Sequence, residues 1–151
     1  GVRVSSDAGE TFADEVNPAG FQYFSDWAIG GGTIFAVGSD LGVGDGNSTL
    51  LYLLPAADPS TSTSVEGLPA VLTNQSRAVS ADASGNGFVA SQLDGGGIVL
   101  DRLAFGAAAF DAERPLSAAG TYPIPAPLPG AQGAAVVYTE GTSVFVTIQT
   151  Y

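Results

Sequence analysis

The sequence predicts an all-β fold made of small antiparallel sheets, and three observations predict it. Short apolar runs rich in Val, Ile, Leu and Phe recur along the whole chain. The 21 glycines and nine prolines are spread evenly between them, which leaves no room for a long helix. The residues that bound the runs are Gly, Asp, Asn, Ser and Pro, the residues of tight turns. With 151 residues, 45% of them hydrophobic, the chain can bury one good core and is too apolar to be wholly disordered.

Taken in order, residues 2–5 open as a strand, since Val2 and Val4 alternate with Arg3 and Ser5. Residues 11–15 form its partner after a turn. Residues 27–29 and 33–37 are strands joined at Gly30-Gly31-Gly32, with Trp27 expected in the core, where strand aromatics usually lie. Residues 49–54 pair with 60–65. Residues 78–81 and 88–92 form a hairpin about Asp82-Ala83-Ser84-Gly85-Asn86, and 98–103 pairs with 109–113. Residues 107–114 also carry some helical character, barely two turns, ended by Pro115. The prolines at 123, 125, 127 and 129 make a stiff connection, with a polyproline ligand as the less favoured reading. Residues 134–138 and 144–148 form a last hairpin. Residue 1 is Gly1 and both ends break into strand-like patterns, so the chain is expected to be a processed product or part of a longer one.

Three of these hairpins look alike. Residues 27–37, 80–90 and 136–146 each read as strand, Gly-containing turn and second apolar strand, with Gly32, Gly85 and Gly141 spaced by 53 and 56 residues. Glycine suits such turns because it accepts positive φ at no steric cost. With the strand pairs between them, each period holds about four antiparallel strands, the signature of a propeller blade. The expected organisation is a single region over 1–151. It comprises a half blade at 1–16, blades at about 24–66 and 77–114, and a half blade at 134–151. That is about three blades' worth, with a β-sandwich as the alternative.

Ser5, Asp7, Gly9, Thr11 and Phe12 fill the defined positions of a Ser-x-Asp-x-Gly-x-Thr-aromatic pattern. The segment resembles the Asp-box, the bacterial neuraminidase repeat of sialidase-type β-propellers. Locally, Asp7 can accept backbone N–H groups, Ser5 can brace it, Gly9 can turn left-handed and Phe12 can pack on the hairpin. In that family the box joins a blade's third and fourth strands on the face away from the active site. The resemblance therefore implies a structural turn and no catalytic role.

Chemistry is sparse. Histidine, cysteine and methionine are absent, which removes thiol chemistry, disulfides and histidine acid–base catalysis. A net charge of −11 without lysine argues against nucleic acid and anionic membranes, and no run is long enough to span a membrane. The sialidase resemblance would call for three arginines on a substrate carboxylate. Of Arg3, Arg77, Arg102 and Arg114, only Arg77 is expected at the start of an inner strand facing a channel. Asp40, Asp45, Asn47 and Asp94 lie in turns that would line the ligand face, and Asp101 is a further carboxylate candidate for glycoside chemistry. The ordinary explanation of such acids is turn formation. Asp40, Asp45 and Asn47 lack the further acids of a calcium loop, so no metal and no cofactor are expected. Gly30-Gly31-Gly32 and Gly95-Gly96-Gly97 lack the Lys and helix of a phosphate loop. Asn47 and Asn74 begin glycosylation sequons.

The expected function is a non-catalytic binding or scaffold module, extracellular or at the cell surface, contacting protein or carbohydrate. The rivals are a fragment of a sialidase-like glycoside hydrolase and a structural assembly protein. Three blades' worth cannot close a ring of ordinary size, so a second chain, like or unlike, is the expected partner.

Overall fold

The computed structural model describes residues 2–17, 23–39, 50–71, 76–130 and 133–151. Among them are eleven strands in three antiparallel sheets, one 3₁₀ turn at Pro59–Thr61 and no α-helix. Sheet 1 is β1 (Tyr23–Gly30), β2 (Thr33–Ser39), β3 (Leu50–Pro55) and β4 (Thr63–Glu66). Sheet 2 is β5 (Arg77–Ala81), β6 (Gly87–Gln92), β7 (Ile98–Leu103) and β8 (Arg114–Ser117). Sheet 3 is β9 (Thr121–Pro127), β10 (Gly133–Glu140) and β11 (Ser143–Thr150). Every strand pairs with its neighbour in sequence, so each sheet is a meander with short connections. The all-β expectation with four-stranded antiparallel units describes sheets 1 and 2 directly.

Several boundaries differ from expectation, each for a local reason. Residues 2–5 and 11–15 form no strands. They are held by an isolated bridge between Val2 and Val16 and by Ala13 N–H to the Val4 carbonyl at 2.9 Å. The strand expected at 60–65 starts later, because Asp58 and Pro59 set a 3₁₀ turn in which the Asp58 carboxylate accepts the Ser60 N–H. Residues 107–113 are neither helix nor strand, and β8 begins at Arg114. Pro115 lies within β8, which pairs only with β7 and is therefore an edge that tolerates proline.

The proline-rich stretch is the largest correction: it is a strand, not a connection. Val136 faces Pro125 and Val137 faces Ile124 across β9 and β10. Pro123, Pro125 and Pro127 are two residues apart, so their missing donors all lie on one side of the strand. On an edge strand that is the side without a neighbour. The hairpin expected to open a new unit, 134–148, thus supplies the second and third strands of sheet 3.

The sheets stack face to face with sheet 2 in the middle. Phe35, Val37 and Leu51 of sheet 1 pack against Val79, Val89 and Leu103 of sheet 2. The other face of sheet 2, with Phe88, Ile98 and Leu100, packs against Ala134, Val136 and Tyr138 of sheet 3. The remaining face of sheet 1 carries Ile34, Ala36, Tyr52 and Leu54, over which Val2 of the N-terminal segment lies. Polar ties cross each junction. Asp26 of β1 accepts the Val79 N–H at 2.8 Å, and Gln92 of β6 accepts the Tyr122 N–H at 3.2 Å. The Ser117 hydroxyl of β8 donates to Glu140 of β10.

Close approach of sheets 1 and 2 depends on a missing side chain. Gly87 lies under the Phe35 ring, where an added Cβ would sit 2.7 Å from a ring carbon. Gly87→Val should therefore destabilise the chain by about 1–3 kcal/mol through overpacking. Urea unfolding checks this, and an unchanged midpoint would contradict the contact.

Candidate functional site

The segment 5–12 folds as a turn closed by its own side chains. Asp7 Oδ1 accepts the Thr11 N–H at 2.9 Å, and Asp7 Oδ2 accepts the Thr11 hydroxyl at 2.5 Å. The Ser5 hydroxyl donates to Asp7 Oδ1 at 2.7 Å and accepts the Gly9 N–H at 2.7 Å. Ala8 and Gly9 take positive φ of 56° and 93°, which brings the two ends of the turn together. The Thr11 hydroxyl and N–H, together with Ser5, hold the Asp7 carboxyl down at about 2. Phe12 does not pack on the hairpin as expected. It is 59% exposed, because residues 11–15 form no strand that would direct it inward.

The expected ligand residues do not come together among the described residues. Asp40, Asp45 and Asn47 lie outside them, as do Asn74 and most of both sequons. Asp94 is exposed in the turn between β6 and β7, where Gly95, Gly96 and Gly97 all have positive φ. Arg77 is the clear departure. It was expected to face a channel and is only 5% exposed, with its guanidinium donating to the Pro69 carbonyl. On the same face of sheet 2 lies Asp101, 2% exposed, whose Oδ2 has no hydrogen-bond partner. Burial pushes the Asp101 carboxyl up to about 7. Glu113 adds to the rise and the Arg77 charge opposes it. Arg77 and Asp101 thus lie buried on one face of sheet 2, close enough for each charge to act on the other.

The other arginines are engaged in ion pairs and ring contacts. Arg3 pairs with Glu15 at 3.6 Å and Arg102 with Asp111 at 2.9 Å. Arg102 and Arg114 both lie over the Tyr151 ring, 5.1 and 4.5 Å from its centroid. A cleft of about 470 Å³ runs between the 82–86 turn and residues 127–130. Its polar groups are turned on one another. Asp82 accepts the Ser84 and Asn86 N–H groups at 2.9 Å, and the Asn86 Oδ1 accepts Phe105 N–H at 3.0 Å. This carboxylate closes its turn much as Asp7 does.

Among the described residues, an apolar row on sheet 3 is open to a partner. Val144, Val146 and Ile148 of β11 point to the same face and are 68%, 61% and 62% exposed. Val146 faces Val137, and Val137 faces Ile124, giving an apolar row across all three strands. Trp27 and Ile29 on β1 are also bare, at 59% and 56%, against the expectation of a buried Trp27. The run Val144-Phe145-Val146 carried a signal for this surface. Apolar residues on both sides of a strand read as a strand covered on both faces, whereas here Val144 and Val146 are bare on one face and Phe145, stacked on Tyr138, is still 41% exposed on the other.

Two predictions follow from the carboxylates. Asp7 has a lowered pKa, so its stabilisation of the turn is full above its unfolded value near 3.8 and is lost as pH falls toward 2. Asp7→Ala should release the Thr11 amide to rapid hydrogen exchange at any pH while β5–β7 amides keep their protection; an unchanged Thr11 rate would refute the turn geometry. Asp101 has a raised pKa, so stability should fall as pH rises from about 4 to about 7. Asp101→Asn should flatten that slope in urea midpoints measured across the same range.

Compared with known proteins, the chain matches no family model, no curated protein and no solved structure.

Proposed function

We propose that the chain is a non-catalytic binding or scaffold module of β-propeller type that works outside the cell and holds a protein partner on sheet 3. The observation that carries this reading is the open face of Val144, Val146 and Ile148 with Ile124 and Val137 beside it. Contiguous apolar surface of this kind on a folded chain marks an interaction site. The exposed row is apolar and carries no charged side chain, which suits another protein surface better than a sugar. Carbohydrate is the second ligand class, supported by exposed Tyr122 at the margin of the same sheet. The turn at 5–12, with its resemblance to an Asp-box, is a brace in this reading and touches no ligand.

The rival reading, a fragment of a sialidase-like hydrolase, requires cations open to an anionic sugar. The burial of Arg77 under Pro69 weighs against it. The purified chain is expected to release no fluorophore from a fluorogenic sialoside, and turnover would favour the hydrolase.

The binding surface is tested with an environment-sensitive apolar dye and dilute protein. The dye should fluoresce with the parent chain and lose most of that signal with Val146→Asp, at unchanged melting temperature. A signal indifferent to this substitution would remove sheet 3 from the reading.

A further inference from the structure

We propose that Asp94-Gly95, in the turn between β6 and β7, is a site of spontaneous covalent modification, where the aspartate isomerises to isoaspartate while the chain is folded.

The residue pair sets the chemistry. Where glycine follows aspartate, no Cβ crowds the approach of the glycine nitrogen to the side-chain carboxyl. The Gly95 nitrogen bonds to Asp94 Cγ. Its amide proton and the carboxyl hydroxyl leave as water, and a succinimide ring closes. Water then adds to one of the two ring carbonyls. Opening at Cγ breaks the new bond and restores aspartate. Opening at the main-chain carbonyl carbon breaks the original peptide bond. It leaves the backbone running through Cβ and a free carboxylate on Cα. One water is released and one is taken up, so the product is an isomer, and no oxidant, cofactor or second substrate is consumed.

Geometry decides which pair reacts. The described residues contain two candidates, Asn86-Gly87 and Asp94-Gly95, both at turns of sheet 2. The residue types alone favour Asn86-Gly87, since a neutral amide is open to attack by nitrogen and an ionised carboxylate repels it. The structure reverses that order. Asn86 is 8% exposed. Its Nδ2 donates to Asp82 at 2.7 Å, and its Oδ1 accepts the Phe105 N–H at 3.0 Å and Arg102 at 3.3 Å. The side-chain amide cannot swing onto the Gly87 nitrogen without breaking these bonds. Gly87 itself is held in β6 between Ala81 and Leu103, with the Phe35 ring over it.

Asp94 has none of these restraints. It is exposed, and its carboxylate makes no hydrogen bond or ion pair among the described residues. The Asp94 N–H donates to the Ala70 carbonyl at 3.5 Å and the Gly96 N–H to the Leu93 carbonyl at 3.1 Å. Between them, the Gly95 N–H has no acceptor among the described residues. A Cβ built at Gly95 would meet nothing within 4 Å. The nitrogen that must attack is therefore unbonded and unhindered, beside a carboxyl that is free to turn. Such a turn, with little buried contact and open backbone, belongs to the least protected parts of a fold. Isomerisation adds one carbon to the backbone inside the turn. The turn is closed by the Leu93 N–H on the Gly97 carbonyl at 3.0 Å, so this bond and the Leu93–Val71 bridge should loosen in the product.

The test ages the folded chain in warm buffer just below neutral pH, beside a sample held in urea at the same pH. Both are then cleaved after arginine. The fragment 78–102 carries both pairs, while Asp45-Gly46, outside the described residues, falls in the fragment 4–77. Isoaspartate is detected by methyl transfer from an isoaspartate-specific methyltransferase and located by fragmentation mass spectrometry. The folded sample should carry isoaspartate at position 94 beside an intact Asn86, and the urea sample should be deamidated at Asn86 as well. Asp94→Glu, whose longer side chain would have to close a larger ring, should lose the label in 78–102 and melt as the parent does. An Asp94 that stays unmodified in the folded sample would overturn the proposal. So would an Asn86 that reacts before Asp94 in the folded sample, or a label in 78–102 that survives Asp94→Glu.

Discussion

Burial of sheet 2 on both faces is the interaction on which the rest of the chain depends. Phe88, Leu51, Ile98 and Leu100 are all fully buried, and they sit at the two junctions that sheet 2 makes. Each such side chain contributes roughly 1.5–3 kcal/mol of transfer free energy. The hydrogen bonds across the same junctions, from Asp26, Gln92 and Ser117, are worth about 0.5–1.5 kcal/mol each. Apolar contact therefore drives the stacking. The polar ties decide how one sheet sits on the next, because each joins a side chain to a single partner atom.

The carboxylates divide into two kinds by what surrounds them. Asp7 and Asp82 sit at turns where N–H groups and hydroxyls converge, so their charge is satisfied and they stiffen the loop. Asp101 sits between sheets near Arg77, where few donors reach it and desolvation opposes its charge. A buried carboxyl with one oxygen unpartnered costs stability unless it holds its proton. The same amino acid thus closes a turn in one place and strains a core in another.

Much of the architecture was legible in the residues. The apolar runs with Gly and Asp between them located β2, β3, β5, β6, β7, β10 and β11, since a short strand bounded by turn residues has few other ways to fold. The bonds of Ser5, Asp7, Gly9 and Thr11 were legible too, because every partner lies within six residues. Where a neighbour in space competes with local preference, the reading failed. The prolines of β9 look like a connection until an edge position makes their missing donors harmless. Trp27 looks like core until the cover over sheet 1 is seen to stop short of β1.

The sequence by itself determined that this chain is all β, acidic, free of thiol and imidazole chemistry, and built on tight turns. These follow from composition and from contacts between near neighbours. Only the tertiary structure decided that Arg77 is buried, that β9 completes a third sheet, and that Val144, Val146 and Ile148 stand open while the matching residues of sheets 1 and 2 are covered. The physical reason is that alternation along a strand assigns a residue to a face, whereas the presence of another sheet on that face depends on residues tens of positions away.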